Sequence, residues 1–433
     1  MIRKEIGVHE RPPLGQALPL SFQHLFAMFG STVLVPNLLG VDPAICLLMN
    51  GLGTLFYLWL CQGKIPAYLG SSFAFLASAT MVVKYEIGEG GYAAALGGFI
   101  VAGIIFTIVA IIIRFAGTKW IDVVFPPAAM GAIVAIIGLE LVPVAAGMAG
   151  WIPANGADPA TWSMDGKVVF LSTATLLITV LGSVLFRGFM KIIPILIGII
   201  SGYLLAIPLG LTNFDKVGEA DLIAAPTFTA PVFEWTVIIA IAPAALVVIA
   251  EHIGHLVVTS NIVKKDLSKD PGLHRSMLGN GLSTIVSGFV GATPNTTYGE
   301  NIGVLAITRV YSTFVIGGAA VIAIVLSFMG KFSALIAGIP EAVMGGVSLL
   351  LFGVIAASGL RMLIEAKVDY SKPTNLFLTT IVLVTGLSHV ELKLGDFALK
   401  GMALATVVAI VFSLLFKLFQ VLRISNDEES AGH

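Results

Sequence analysis

The sequence predicts an all-α polytopic membrane protein with fourteen transmembrane segments arranged as two inverted repeats of seven. Three observations lead to this fold class: an apolar composition, a succession of long apolar stretches, and an internal repeat. Of the 433 residues, 57% are hydrophobic and only 11% are charged, whereas soluble domains carry roughly 25% charged residues. This composition excludes an ordinary soluble enzyme. The net charge of −1 gives no electrostatic basis for binding nucleic acid.

The apolar stretches define the segments. A helix needs about 20 residues to cross a bilayer, and stretches near this length cover residues 14–35, 45–61, 91–115, 127–147, 167–186, 191–209, 235–259, 275–291, 310–330, 336–362, 374–388 and 398–420. Two shorter apolar stretches, 74–83 and 300–308, each follow a polar segment that contains Gly or Pro. We interpret them as half-helices preceded by extended, strand-like segments, and they become segments 3 and 10.

The distribution of Lys and Arg tests the segment count, because cytoplasmic loops carry an excess of both. With a cytoplasmic N-terminus, 18 of the 24 Lys and Arg residues fall on the inside. The outside keeps the remaining six, which are Lys84, Lys167, Lys216, Lys331, Lys393 and Lys400. We therefore expect a multi-pass protein of the inner (cytoplasmic) membrane with both termini in the cytoplasm.

The two halves of the chain resemble each other in order. The matched pairs are Gln23-His24 with Glu251-His252, Asn50-Gly51-Leu52-Gly53 with Asn280-Gly281-Leu282-Ser283, Leu96-Gly97-Gly98 with Ile316-Gly317-Gly318, and Pro126-Pro127-Ala128-Ala129-Met130-Gly131 with Pro340-Glu341-Ala342-Val343-Met344-Gly345. Seven segments per half is an odd number, so the second repeat must lie inverted in the membrane. Inverted repeats with broken helices at corresponding positions are typical of secondary transporters, whose sites lie near those breaks.

Glu251 and His255 are the first candidate site residues. They are four residues apart in an apolar segment, so they lie on one face of a helix. Ionisable groups at that depth are costly and usually functional. An isolated buried carboxylate needs a partner or a proton, so a carboxyl beside an imidazole can serve as a proton carrier. The alternative is that Glu251 lies near the end of its segment and simply meets water.

The breaks supply further candidates. Glu300 opens the second short helix, where a carboxylate suits the free N–H groups but could be only a cap. Phe73 and Tyr298 occupy similar places in the two extended segments. Gln23 and His24 are polar in an otherwise apolar first segment, and a structural hydrogen bond is as good an explanation as a direct role. These groups suit a flat, neutral, uracil-like base, since carboxylates accept from its N–H groups and an aromatic ring covers one face.

The second break carries a family signature. Residues 300–309 have an acidic residue, then Asn, any residue, Gly, four residues of any kind, Thr and a basic residue. This run resembles the signature of the nucleobase–ascorbate transporter family, and Gln23-His24 resembles the same family's first-segment motif. The stretches 63–75, 125–140, 244–265 and 270–309 are also similar to bacterial members of the family, and the similarity covers nearly the whole chain.

The resemblance implies a core domain and a gate domain. The core would comprise residues 1–125 (segments 1–4) and 235–333 (segments 8–11). The gate would comprise residues 126–234 (segments 5–7) and 334–433 (segments 12–14 and a cytoplasmic tail). It also implies a homodimer whose core moves like an elevator, and proton-coupled import of uracil or a similar nucleobase, with no cofactor and no metal.

The resemblance also implies roles for individual residues. Glu251 and Glu300 would bind the base, with Phe73, Tyr298 and Gly299 completing the site, and His255 would act with Glu251 in proton coupling. Supporting roles are expected for His24, Gln23, Asn301 and Phe352. The chain departs from the family at Phe352, where a related permease has Tyr, so a polar contact made by that hydroxyl is in doubt.

Three alternatives remain open from the sequence. The cargo could be xanthine, uric acid or another nucleobase carried by the same mechanism. An anion transporter on the same inverted-repeat fold would want a bare helix N-terminus or a cation facing the anion, and Glu300 argues against it. A membrane enzyme finds no support, because the sequence contains no HExxH, GxSxG or phosphate-binding Gly loop.

Overall fold

The computed structural model describes residues 5–85, 90–154, 160–187, 190–388, 390–394 and 397–425, and these are mostly helical. The extreme residues 1–4 and 426–433, which belong to the predicted cytoplasmic termini, lie outside the described residues.

Helices occupy every apolar stretch identified in the sequence. In the first half they are α1 (Leu14–Ala27), α2 (Phe29–Leu39), α3 (Pro43–Leu60), α4 (Leu76–Tyr85), α5 (Gly91–Ala116), α6 (Lys119–Val124), α7 (Pro127–Met148), α8 (Gly166–Leu185), α9 (Pro194–Leu209) and α10 (Asp215–Glu219). In the second half they are α11 (Trp235–Ile241), α12 (Ala244–Val263), α13 (Leu273–Val290), α14 (Gly299–Thr308), α15 (Thr313–Ser327), α16 (Gly330–Ala337), α17 (Glu341–Glu365), α18 (Pro373–Leu387) and α19 (Gly401–Val421).

Prolines set several of these helix starts. Pro43, Pro127, Pro194 and Pro373 each occupy a first helical position, where the missing N–H costs nothing and the fixed φ suits the helix. Pro340 likewise precedes α17, so that helix begins at Glu341 and not at residue 336 as predicted. Residues 330–337 instead form the separate α16, bent by 90° from α15.

Within the described residues, eight helical spans are long and apolar enough to cross a membrane, and the bent pair α15–α16 would make a ninth. They are α1–α2 taken together, α3, α5, α7, α8, α11–α12 taken together, α17 and α19. The apolar α9 and α18 are shorter, and α13 has the length but buries several Ser, Thr and Asn side chains. The chain is therefore a multi-pass helical membrane protein, while fourteen crossings in two inverted repeats remain a prediction.

Two short strands join the halves at the predicted breaks. β1 (Leu69–Ser71) pairs antiparallel with β2 (Asn295–Thr297), with Leu69 opposite Thr297 and Ser71 opposite Asn295. Each strand leads into a ten-residue helix, α4 after a 3₁₀ turn at Phe73–Phe75 and α14 directly. Backbone polar groups buried at membrane depth must be paired inside the protein, and the strands pair each other. A side chain at Gly70 would collide with the Tyr298 ring.

Glycines bring two helix pairs into close contact. A Cβ at Gly103 of α5 would lie 2.8 Å from the Gly281 carbonyl oxygen of α13, and one at Gly131 of α7 would lie 2.9 Å from the Gly359 carbonyl oxygen of α17. Small residues at such contacts are typical of membrane helix packing. These pairs tie residues 1–125 to 235–333 and residues 126–234 to 334–433.

A second strand pair was not predicted. β3 (Glu391–Leu394) and β4 (Phe397–Lys400) form a hairpin before α19. The hairpin takes up residues 398–400, so α19 begins at Gly401 and not at residue 398 as predicted.

Candidate functional site

The predicted site residues meet where the paired strands end against α12. Phe73 follows β1, while Tyr298, Gly299 and Glu300 follow β2. The face of α12 that carries Glu251 and His255 lies beside β2. The helix continues from Glu251 to Val263, three turns further, so Glu251 lies well inside its span and not at its end.

Glu251 and His255 form a pair that lacks a direct hydrogen bond. His255 Nε2 lies 4.0 Å from Glu251 Oε1, and the two side chains are only 12% and 15% exposed. The gap exceeds hydrogen-bond range, so a water or a ligand atom can sit between them. The second carboxyl oxygen, Glu251 Oε2, is buried and has no hydrogen-bond partner within the described residues.

The other nitrogen of His255 is fixed by the strand. His255 Nδ1 lies 2.9 Å from the Thr297 carbonyl oxygen. On the opposite side of the ring, a Cβ added at Gly299 would lie 3.1 Å from Nε2. The absence of a side chain at residue 299 therefore leaves space next to Nε2.

Glu300 is the second residue of α14, and its Oε1 is buried without a partner in the described part of the chain. Its carboxyl interacts electrostatically with that of Glu251. Two like charges at close range repel each other. A proton, or a ligand that donates N–H groups to both carboxyls, relieves this repulsion.

Aromatic side chains pack beside the strand ends. The Phe73 ring meets the Phe352 ring of α17 edge to face, with centroids 5.6 Å apart and planes at 89°. Phe352 is fully buried and Phe73 is nearly so. Tyr298 donates its hydroxyl proton to the Ser71 carbonyl oxygen of β1, so its ring serves to brace the two strand ends.

A cavity of about 410 Å³ reaches this site. It has the size of a small-molecule site, for which roughly 300–1,000 Å³ is usual. His255 and Gly299 line one part, and Arg361 and Glu365, which form an ion pair with Nε and Oε1 3.2 Å apart, line another. The remaining lining residues come from α7, α12, α14 and α17 and are Val134, Val258, Asn261, Ile262, Ile302, Gly303, Ala306, Ser358 and Met362.

The supporting residues divide between two places. His24 Nδ1 lies 3.1 Å from the Asn301 amide nitrogen, so Asn301 donates to the imidazole and ties α1 to α14. Gln23 is buried but lines a different cavity, of about 810 Å³, together with Arg11, Gln16 and Thr308. The structure therefore places Gln23 apart from the cavity that contains His255.

Sequence reasoning did not single out Thr297, His252 or the cavity wall from α17. Thr297 contacts His255 only because β2 crosses α12, and a polar residue in the extended segment was the available signal. Arg361 and Met362 lie far along the chain in a long apolar helix, where nothing in the local pattern marks them as site residues. No group of three His, Cys, Asp or Glu residues in the described ranges could hold a metal ion.

The comparisons with known proteins agree with the transporter interpretation. Residues 15–395 match the model of the Permease family. The chain belongs to this family. It is a transporter and not an enzyme, as predicted. Among its relatives, proteins named Uracil permease from Paenibacillus larvae subsp. larvae and from Escherichia coli K12 are each 62% identical to the chain. These alignments cover 98% of the chain and 99% and 96% of the relatives.

Solved structures of other transporters share the fold at low sequence identity. The transmembrane domain of the cyanobacterial bicarbonate transporter BicA matches with a TM-score of 0.61 at 15% identity, over 95% of this chain and 98% of that domain. Murine Slc26a9, described as an anion transporter in the inward-facing state, matches with a TM-score of 0.69 at 11% identity, over 95% of this chain and 69% of that one. At these identities the likeness concerns the fold alone.

Proposed function

We propose that the protein is a proton-coupled symporter that imports uracil across the inner membrane. The observation that carries the proposal is the group formed by Glu251, His255 and Glu300 at the end of the paired strands. It combines two buried carboxyl oxygens, which have no hydrogen-bond partner among the described residues, with an imidazole that lines a cavity. The 62% identity to proteins named Uracil permease supports uracil as the cargo.

The chemistry of the group fits a pyrimidine base. The carboxyls of Glu251 and Glu300 accept from the ring N–H groups. The first N–H groups of α14 have no intrahelical acceptor, so they can donate to a ring carbonyl. Phe73 supplies an apolar face. A proton shared between Glu251 and His255 changes the charge next to the ligand, which links base binding to proton binding.

The same proposal includes the architecture: fourteen segments in two inverted repeats, with both termini cytoplasmic. The β1–β2 pairing and the α5–α13 contact support a core of residues 1–125 and 235–333. The α7–α17 contact supports a gate of residues 126–234 and 334–433. The cavity lies between these two parts and extends to Arg361 and Glu365, on the side expected to be cytoplasmic. We further propose that a homodimer forms and that the core moves against the gate.

The test is uptake of radiolabelled uracil into proteoliposomes, with and without an inward proton gradient. We expect uptake that is driven by the gradient and blocked by unlabelled uracil but not by adenine or ascorbate. In His255→Ala, gradient-driven accumulation should fall more than equilibrium binding. If unlabelled xanthine competed more strongly than unlabelled uracil, xanthine and not uracil would be assigned as the cargo. Equal uracil uptake with and without the proton gradient would refute proton coupling.

An anion transporter on this fold is the second candidate, because BicA and Slc26a9 share the architecture. The buried Glu300 carboxyl at the start of α14 disfavours it, since a bound anion would need that position. Uptake of labelled bicarbonate or chloride in the same proteoliposomes would reverse this preference.

A further inference from the structure

A buried chain of hydrogen bonds lies behind the proposed site. Thr297 Oγ1 lies 3.0 Å from His252 Nδ1, and His252 Nε2 lies 2.8 Å from Ser276 Oγ of α13. Ser276 Oγ lies 2.6 Å from the Tyr57 hydroxyl of α3. All four side chains are buried. Both nitrogens of His252 are thus engaged, and the chain connects β2 to two helices that pack behind it.

Thr297 contacts both His252 and His255. Its hydroxyl lies 3.0 Å from His252 Nδ1 and 3.4 Å from His255 Nδ1, while its carbonyl oxygen makes the shorter contact to His255 Nδ1, at 2.9 Å. A carbonyl oxygen can only accept, so His255 Nδ1 must carry the proton of the bond. In the neutral ring, Nε2 is then the unprotonated nitrogen. Nε2 is also the atom that faces Glu251 at 4.0 Å and the open space above Gly299.

We infer that His252 and Thr297 are positioning residues that hold His255 in the Nδ1–H tautomer, so that Nε2 receives the transported proton. The inference rests on the proposed proton coupling and deepens it. In the transfer, the O–H bond of a protonated Glu251 breaks and an N–H bond forms at Nε2, through one water that bridges the 4.0 Å gap between Oε1 and Nε2. The products are the Glu251 carboxylate and a His255 imidazolium.

Strand geometry explains why Thr297 needs this support. β2 has only three residues, and Thr297 is the last of them. The chain then turns into α14 within two residues. The peptide that carries the Thr297 carbonyl has one backbone bond to the neighbouring strand side, a long one of 3.3 Å from the Tyr298 N–H to the Tyr68 carbonyl oxygen. The bond from His252 fixes the Thr297 side chain and thereby the direction of its carbonyl.

Ionisable side chains from several neighbouring elements surround His255. Glu251 is on its own helix, Glu300 on α14, and Arg361 and Glu365 lie across the cavity on α17. The other elements packed against α12 also carry ionisable groups. Glu140 of α7 accepts from the Met402 N–H, and Arg275 of α13 donates to the Leu60 carbonyl oxygen. The remaining groups are His274 of α13, which interacts electrostatically with Arg275 and with Arg114 of α5, Lys417 of α19, and Lys269 and Asp270 in the turn before α13, which pair with Asp266 and Lys64.

The first test measures the tautomer directly by ¹⁵N NMR of protein labelled at histidine, in nanodiscs. The His255 signals are assigned by their loss in His255→Gln. We expect wild-type His255 to be protonated at Nδ1 and unprotonated at Nε2. In His252→Asn we expect a mixture of both tautomers. An Nε2–H tautomer in the wild type, or a pure Nδ1–H tautomer in His252→Asn, would overturn the inference.

The second test separates proton transfer from transport of the base. Net gradient-driven uptake requires proton release, whereas exchange of labelled for unlabelled uracil does not. We expect His252→Asn to lower net uptake by roughly tenfold, the effect of one buried hydrogen bond, and to lower exchange much less, because exchange requires no proton release. Equal losses in both assays would indicate only structural damage and overturn the inference.

Ser276→Ala is the milder variant, in case His252→Asn does not fold. It removes one link of the chain and should shift net uptake in the same direction as His252→Asn. Its matched control is Ser287→Ala, on the same helix, where the buried hydroxyl has no partner within the described residues. We expect Ser287→Ala to show the net uptake of the wild type. Identical losses of net uptake in the two alanine variants would contradict a role for the hydrogen bonds from Tyr57 to Thr297. If uracil uptake by the wild-type protein did not depend on the proton gradient, the proposed function would be refuted. The NMR measurement would still determine the tautomer of His255.

Discussion

Gly299→Ala gives a quantitative test of the space next to His255. The new Cβ would lie 3.1 Å from Nε2 and 3.7 Å from Cε1 of the ring. This is shorter than an ordinary non-bonded contact of about 3.5–4.0 Å, so the ring must move by a few tenths of an ångström. The ring cannot move freely, because Nδ1 is held at 2.9 Å from the Thr297 carbonyl.

The methyl group also occupies the position of a hydrogen-bond partner. A partner of Nε2 would sit at roughly 2.7–3.2 Å, which is where the Cβ lies. Losing one hydrogen bond to a buried group costs about 1–3 kcal/mol, which corresponds to roughly 5- to 150-fold in Kd. The backbone at residue 299 is not in the left-handed region, so alanine fits the start of α14 and the fold should be retained.

The assay is calorimetric titration of purified protein with uracil, with thermal unfolding followed in parallel. Gly303→Ala is the matched control: it lies one turn further along α14 and lines the same cavity, but its Cβ would meet nothing within 4 Å. We expect weakened binding only in Gly299→Ala, with similar Tm values for both. Wild-type Kd in Gly299→Ala, or equal weakening in both variants, would refute the reasoning.

Three further predictions concern single side chains. Glu300→Gln should weaken uracil binding by about tenfold or more, because an amide replaces a two-oxygen acceptor; wild-type affinity in a titration would reduce Glu300 to a helix cap. Phe352→Ala removes the buried ring that packs against Phe73 and should cost about 3–5 kcal/mol of stability, and an unchanged unfolding midpoint would contradict that packing. Asp42→Ala removes the acceptor for the Ala44 and Thr227 N–H groups and the Ser333 hydroxyl. It should cost about 1–2 kcal/mol with little change in uracil Kd, and a large loss of affinity at unchanged stability would argue against a purely structural role.

Local patterns in the sequence were sufficient to find the helices and the two breaks. Length and apolarity locate a helix such as α5 without any tertiary information, and the polar run before Glu300 identifies β2 as extended. The i,i+4 spacing was enough to place Glu251 and His255 on one face. These features depend only on neighbours along the chain.

Contacts between distant segments could not be predicted in this way. The Thr297–His252 bond exists because β2 crosses α12, and the pattern around either residue does not encode that crossing. The same holds for Phe352, whose partner Phe73 lies in the other half of the sequence. Adjacency along a helix does not predict shared contacts either. Gln23 lines a different cavity from His255 while His24 contacts Asn301, because the side chains of adjacent helical residues point in different directions. The supporting role expected for Gln23 stays a prediction.

The pairing of β1 with β2 has a consequence for biosynthesis. Residues 69–71 leave the ribosome more than two hundred residues before residues 295–297, their only strand partner in the described chain. At about 5–20 residues per second, this delay lasts from roughly ten seconds to most of a minute. During that time Leu69 can bond to the Thr54 hydroxyl, but the peptide groups of β1 that pair with β2 lack their partner, and each unpaired group in lipid costs several kcal/mol. We therefore expect the first half to remain partly inserted or exposed to water until β2 has been synthesised. We also expect a chain truncated before residue 295 to be degraded.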